Sequence, residues 1–295
     1  MLTPYLMALL LRDKLFPLLI FFHTVLCGCA NDKGRGDFDR VSQTYQVKQV
    51  GRLQKDKVVE SSGLEIANDE GDLWTHGDGG NTAKLYKVTM QGDRLQEVDL
   101  TPLTNIDWED LTRDEEGNLY IGDFGNNQNK RRNLAIYRLG GPELREVDTI
   151  RFEYPDQRQF PPKKVARNFD CEAVFFYQDS LHLFTKNRGE GNWVKYYVLP
   201  ARPGTYTARL ADSMQTNTWI TAADISPDGR TVALLGYGYA YLIERKAGAR
   251  LFDGDKSCLP LPQTGQAEAI VFINDHDFLI SNEKGKLFRA AFQKK

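Results

Sequence analysis

Glu109-Asp110-Leu111-Thr112-Arg113-Asp114-Glu115-Glu116-Gly117-Asn118-Leu119-Tyr120-Ile121 reads as two short strands joined by an acidic, glycine-closed turn. An acidic cluster runs into an aliphatic residue, and ten residues later an apolar residue closes the partner strand. The same offset recurs from Leu64 to Trp74, Val174 to Phe184, Ile225 to Leu235 and Ile270 to Ile280. The clusters that open these segments are Ser62-Gly63-Leu64, Glu172-Ala173-Val174, Ala223-Asp224-Ile225 and Glu268-Ala269-Ile270. A third strand with a central aromatic follows each time, around Tyr86, Tyr137, Tyr197, Tyr241 and Phe288. A fourth is read at residues 95–100, 147–154, 206–210 and 250–253. The fifth repeat ends the chain without one, while residues 45–53 form a strand that precedes the first repeat and belongs to none.

A ring of four-stranded blades accounts for both oddities, because the N-terminal strand supplies the outer strand that the last blade lacks. The sequence therefore predicts an all-β fold, a β-propeller of five four-stranded blades closed by the N-terminal strand. The 253 residues from Gln43 to Lys295 give about 50 per blade, as in the longer propeller families. Six blades are possible by length but would need a further repeat, and the competing reading is a β-sandwich with coincidental spacing. Composition agrees. The 295 residues are 41% hydrophobic and 26% charged, which excludes a disordered, collagenous or disulfide-stapled chain. Basic and acidic residues number 38 and 40, so no positive field recommends nucleic acid as a partner.

The N-terminus reads as an address. Arg12 and Lys14 precede an apolar run from Leu15 to Leu26, too short to span a bilayer as a structural helix. The run ends in Leu26-Cys27-Gly28-Cys29, which resembles the lipobox of bacterial lipoproteins. That resemblance implies cleavage before Cys29, lipidation of Cys29 and a lipid-anchored protein of the bacterial outer membrane, since Ala30 follows rather than Asp. Residues 1–28 are then a signal peptide, 29–42 a flexible tether and 43–295 a single domain. Without residues 1–28 the chain has 36 basic and 39 acidic residues, a net charge of −3, so lipid rather than charge supplies membrane affinity. Cys171 and Cys258 lie in non-neighbouring repeats of a compartment that permits disulfides, and whether they pair stays open. Cys171 as a nucleophile lacks a histidine partner.

In a propeller, the starts of the inner strands and the loops between second and third strands share one face. Here that face collects Asp107 and Glu109, Asp170 and Glu172, and Glu268. Glu109, Glu172 and Glu268 occupy one repeat position, and carboxylates converging on an axis repel unless protons or a cation intervene. Hard oxygen donors in number suit Ca²⁺, which makes these five residues the candidate ligands, unless each Glu is instead held by backbone amides or by Lys186 or Arg188. His76, Asp78, Asp123, Lys186, Arg188 and Asn282 come from the loops as candidate ligand contacts. The three histidines of the domain, His76, His182 and His276, lack zinc spacing, and no Gly-x-Ser-x-Gly elbow is present.

Ser61-Ser62-Gly63-Leu64, Asp107-Trp108-Glu109-Asp110-Leu111 and Asp170-Cys171-Glu172-Ala173-Val174 resemble the inner-strand motifs of bacterial periplasmic propellers of the SdiA-regulated type. More distantly they are similar to the esterase-like phytase group. The resemblance implies an acidic, often calcium-binding channel centre, carried here by Glu109, Glu172 and Glu268, with Ala223 departing from the pattern in the fourth repeat. The expected function is binding of a ligand or protein partner at the acidic face. The alternatives are a Ca²⁺-dependent hydrolase of a phosphoester, ester or lactone, and a structural or immunity-type protein-binding lipoprotein.

Overall fold

The computed structural model describes residues 4–27, 29, 38–54, 58, 60–186, 188–216 and 218–294. Gly28 of the lipobox, residues 30–37 of the expected tether and Asn187 lie outside the described residues. A helix, α1 (Pro4–Cys27), is followed by β1 (Phe38–Arg40) and β2 (Tyr45–Arg52). Blade 1 holds β3 (Ser61–Ile66), β4 (Leu73–Gly77), β5 (Lys84–Val88) and β6 (Arg94–Asp99). Blade 2 holds β7 (Trp108–Arg113), β8 (Leu119–Asp123), β9 (Leu134–Gly140) and β10 (Glu146–Glu153). Blade 3 holds β11 (Asp170–Tyr177), β12 (Ser180–Lys186) and β13 (Trp193–Pro200), then, after β14 (Gly204–Thr207), its outer strand β15 (Arg209–Gln215). Blade 4 holds β16 (Ile220–Ile225), β17 (Thr231–Gly236), β18 (Tyr239–Glu244) and β19 (Asp255–Pro260). Blade 5 holds β20 (Ala267–Phe272), β21 (Phe278–Asn282) and β22 (Lys286–Phe292).

The fold is a five-bladed propeller. Its closure is the expected one: β2 pairs antiparallel with β22, from Tyr45 opposite Phe292 to Arg52 opposite Lys286, and so completes blade 5. Two outer strands differ from the sequence reading. The segment read at 206–210 straddles β14, which leaves its own blade to pair parallel with β10, and β15. In blade 4 residues 251–253 form a 3₁₀ turn and the outer strand is β19. Residues 38–40, expected in the tether, form β1 and pair parallel with β19.

Five buried clusters hold the ring, one between each pair of adjacent blades. Trp74 and Leu85 of blade 1 meet Trp108 and Leu119 of blade 2, and Ile136 of blade 2 meets Leu183 and Tyr197 of blade 3. Phe184 and Tyr196 of blade 3 meet Leu234 and Tyr241 of blade 4, and Leu235 of blade 4 meets Phe278 and Ile280 of blade 5. Leu279 and Leu287 of blade 5 close the circle on Leu64 and Leu73 of blade 1. Each inner blade strand is therefore covered on both faces, which is why these strands read as apolar runs rather than as alternation.

The inner strands are also stitched by side chains. Ser62 Oγ donates to the carbonyl of Glu109, and Thr221 Oγ1 donates to that of Ala267 at 2.7 Å. Asp110 accepts the amides of Leu111, Val174 and Ala223, and Asp224 accepts those of Ile225 and Phe272. All five inner hairpins carry a bulge at one level: Gly63, the pair Glu109-Asp110, Glu172, Thr221 and Glu268. A bulge re-aims its extra residue. It also corrects the alignment of the fourth repeat, where Thr221 rather than Ala223 stands level with Glu172.

Cys258 is bonded to Cys29, and Cys171 is a free, buried thiol. Cys171 and Cys258 therefore do not pair, and the disulfide falls on Cys29, the residue expected to carry lipid. Its Sγ is in a disulfide here, and a lipid thioether needs that same atom, so the disulfide and lipidated forms exclude one another. Among the described residues no helix is long and apolar enough to cross a membrane.

Candidate functional site

Two positions ahead of the bulges, at one level of the five blades, stand Ser61, Asp107, Asp170, Trp219 and Gln266. Together with the bulge residues they form an uneven ring. Blades 2 and 3 contribute Asp107, Glu109, Asp170 and Glu172, while blade 4 contributes Trp219 and Thr221. The mouth thus has an acidic arc and an aromatic arc.

In the acidic arc two groups of carboxylates share Glu109. Asp78, Asp107 and Glu109 form one, and Glu109, Asp170 and Glu172 the other, with the oxygens of each group within 4.8 Å of one another. Two glycines make this approach possible. A Cβ on Gly79 would lie 2.3 Å from an Asp107 oxygen, and one on Gly125 would lie 2.2 Å from Glu109 Oε1. The Asp78-Gly79 and Asp123-Phe124-Gly125 turns are therefore cut to fit the carboxylates beside them.

Two cations partly offset the charge. Lys186 Nζ donates to Glu172 Oε2 at 2.9 Å, and Arg188 reaches Asp170 through Nε and Glu172 through Nη2 at 3.5 Å. Burial pushes the Glu109 carboxyl well above the usual range, and the charge of Glu172 adds to the shift. Burial pushes Glu172 up as well, but Lys186 and Arg188 pull it back. Lys186 and Arg188 thus favour the charged form of Glu172, whereas the carboxylates around Glu109 disfavour its own. Asp107 is raised to about 6 by burial and by its neighbours Asp170 and Asp78, and Asp78 is raised by burial. Desolvation works against the charge of Lys186, but Glu172, Tyr237, Glu268 and Glu109 together outweigh it and hold the ammonium charged.

Of the five residues expected to bind metal, Glu109, Glu172, Asp107 and Asp170 come together, and Asp78, expected as a ligand contact, joins them. Glu268 does not. It accepts a hydrogen bond from the Tyr237 hydroxyl at 2.9 Å, and burial raises it to about 7. Lys186 and Arg188 are at the site as expected. Three other candidates have structural work instead. His76 is fully buried, edge-on to Trp108, with a pKa lowered by burial to about 4. Asp123 is fully buried, pairs with Arg131 at 2.8 Å and accepts the Asp107 amide, so it supports the site from behind. Asn282 donates to the Thr264 carbonyl and accepts the amides of Lys284 and Lys286, which fixes its own turn.

The aromatic arc was not anticipated. Lys186 Nζ lies 5.4 Å from the Tyr237 ring centre and 6.0 Å from that of Trp219, and the Arg188 guanidinium lies 5.3 Å from Trp219. The two cations thus sit between carboxylates and ring faces, an arrangement favourable to them on both sides. The signal was present in the place of Trp219 just ahead of an inner strand, but only the bulge register aligns it with Asp107 and Asp170.

As a donor set, five carboxylates with two cations suit a hard divalent ion. Asp78, Asp107 and Glu109, and Glu109, Asp170 and Glu172, could each hold a metal ion, and oxygen donors are the kind Ca²⁺ takes, six to eight in flexible geometry. No known family profile matches the chain, and no curated protein matches its sequence. Among solved structures it is similar to a PQQ-bound aldose sugar dehydrogenase from Streptomyces coelicolor, with a TM-score of 0.50 and 11% identity over 84% of this chain and 98% of that one. It is also similar to a gluconolactonase from Xanthomonas campestris, with a TM-score of 0.49 and 11% identity over 84% of this chain and 90% of that one. At 11% identity the likeness to the dehydrogenase shows the fold alone, a propeller.

Proposed function

We propose that the channel mouth is a calcium-dependent hydrolytic site for an ester or lactone. The observation that carries this reading is the pair of carboxylate groups sharing Glu109, set beside a separate carboxyl, Glu268, whose pKa lies near neutrality. Calcium held by Asp78, Asp107, Glu109, Asp170 and Glu172 would supply Lewis acidity toward a carbonyl oxygen and acidify a nearby water. Glu268 is the general base: with a pKa of about 7 it is poised both to accept the proton of water and to return it. The water oxygen adds to the carbonyl carbon, and the ester C–O bond then breaks. The proton held on Glu268 passes to the leaving alkoxide, giving one acid and one alcohol. Lys186 and Arg188 stand where they can steady the oxyanion, and the Tyr237 hydroxyl orients Glu268. The likeness of the inner-strand motifs to the SdiA-regulated propellers and the esterase-like phytase group supports the same reading. Assay of purified protein on a panel of esters and lactones tests it: turnover that chelator abolishes and Ca²⁺ restores is expected, and an inactive calcium-loaded protein would overturn it.

The same reading includes an anchor. We propose that the processed chain is held at the bacterial outer membrane by lipid on Cys29, in which case Cys258 is a free thiol in β19. Fractionation of Cys29→Ser into the soluble periplasm is the expected result, and retention in the membrane pellet would contradict it.

A further inference from the structure

The aromatic arc is covered by the chain's own N-terminal helix. Phe16 meets the Tyr237 ring edge-on at 5.6 Å, and the ring of His23 stands edge-on to Tyr239 at 6.1 Å. Thr24 presses on Gly238, where a Cβ would lie 2.1 Å from its Oγ1. Among the described side chains of α1, Ile20 and Thr24 are buried, while Leu15, Leu18, Leu19, Phe21, Phe22, Val25 and Leu26 stay exposed, Leu26 with 78% of its surface. A helix whose described side chains include two buried ones against seven large, exposed apolar ones is a poor permanent lid in water. Even with α1 in place, a cavity of about 300 Å³ stays open between Phe16, Leu19, Ile20 and His23 on one side and Thr218, Trp219 and Tyr237 on the other. Trp219 keeps 40% of its surface exposed there. This wall is continuous with the acidic arc through Lys186, Arg188 and the Tyr237–Glu268 hydrogen bond.

We infer that the Trp219–Tyr237 wall is an apolar subsite for the alkyl or acyl chain of the ligand bound at the mouth, and that α1 masks it until the helix is removed. The inference rests on the hydrolytic reading only for the position of the reacting group. It commits the ligand to a class, an ester or lactone with an aliphatic tail rather than a polyhydroxylated sugar. Phe16, Leu19 and Ile20 are the stand-ins: they place apolar groups over the wall where that tail would lie.

The test titrates the γ-lactones from γ-butyrolactone to γ-decalactone into the full chain by calorimetry, in chelator so that hydrolysis plays no part. Ile20→Lys in the full chain unseats α1 by placing a charge against the wall. With that variant the dissociation constant should fall roughly fourfold for each added methylene until the wall is covered. The unaltered chain should bind γ-decalactone at least about tenfold more weakly, since the lactone must displace α1. In the Ile20→Lys background, Trp219→Ala should flatten the dependence on chain length and Trp219→Phe should keep it. Affinity that ignores chain length in the opened protein overturns the subsite, and equal affinity with and without Ile20→Lys overturns the masking. Calcium-dependent turnover is then measured separately. Length-dependent binding without turnover would support the subsite and sink the hydrolase, whereas turnover whose KM ignores the chain would sink the subsite alone.

Discussion

Glu109 and Asp110 are neighbours in the chain and serve different parts of the same channel. Glu109 belongs to the mouth, where its partners are other carboxylates and where burial leaves it short of a cation. Asp110 belongs to the interior. It accepts the amides of Leu111 and Val174 at 3.0 Å and of Ala223 at 3.4 Å, and so ties blade 2 to blades 3 and 4. Asp224 does the same between blades 4 and 5, and Glu65 lies near it with Arg113 in attendance. A carboxylate answered by backbone amides is part of the frame. One answered by its own kind is a site awaiting a counter-charge.

The largest effect should come from the frame. Asp110→Ala leaves buried amides on three strands without an acceptor, each costing about 1–3 kcal/mol. The loss should reach about 3 kcal/mol or more, lowering the melting temperature by roughly 6–12 °C at the usual conversion for a domain of this size. A variant that melts within two degrees of the parent would erase the distinction.

The mouth should behave in the reverse sense. Glu109→Gln puts a neutral amide where burial already disfavours a charge, so the metal-free protein should melt no lower than the parent. Calcium at a hundred times its dissociation constant should stabilise the parent by about 2.7 kcal/mol, and this response should be lost in the variant. Mg²⁺ should do less, because its smaller shell keeps its waters. A variant that kept the full calcium shift would move the site away from Glu109.

The smallest effect is one of pH. Between pH 6.5 and 8 an unfolded chain has its carboxylates ionised, while the folded one still holds protons: Glu268 and Asp224 are raised to about 7 and Glu65 to about 8, all chiefly by burial. The native state binds more protons, so stability falls as pH rises across this window. His76 and His182, both lowered to about 4, are neutral in the folded protein throughout and drive the opposite trend mainly below pH 6.5. In chelator, melting at pH 8 should therefore lie below melting at pH 6.5, and calcium should narrow the gap by replacing protons at the mouth. A melting temperature that rises with pH in chelator would show that the cluster is already neutralised from within.

The architecture was legible because a repeat of constant offset repeats its physics: five hairpins and a displaced closing strand follow from it. Outer strands were harder. Asp255-Lys256-Ser257-Cys258-Leu259-Pro260 carries little apolar signal, and β14 was absorbed into its neighbour although it pairs with another blade. At the site, residue type located the acidic arc, but alignment by aliphatic residues put Ala223 in the place of Thr221 and hid Trp219. Nor can an acidic pair such as Glu109-Asp110 announce which member faces the mouth. That is decided by the two-residue bulge between Trp108 and Leu111, a feature of backbone pairing rather than of composition. Glu268 was grouped with Glu109 and Glu172 correctly by level, yet Tyr237 claims it, and that tyrosine comes from a loop of the adjacent blade.

Calorimetric titration of Ca²⁺ into chelator-stripped protein at neutral pH addresses the central claim most directly. Saturable binding is expected, with proton release as Glu109 ionises onto the metal, and with both heat and proton release lost in Glu109→Gln. A flat titration of the folded parent protein, or unchanged binding in Glu109→Gln, would mean that the mouth is neutralised by Lys186, Arg188 and its own protons, and the calcium-dependent reading would fall.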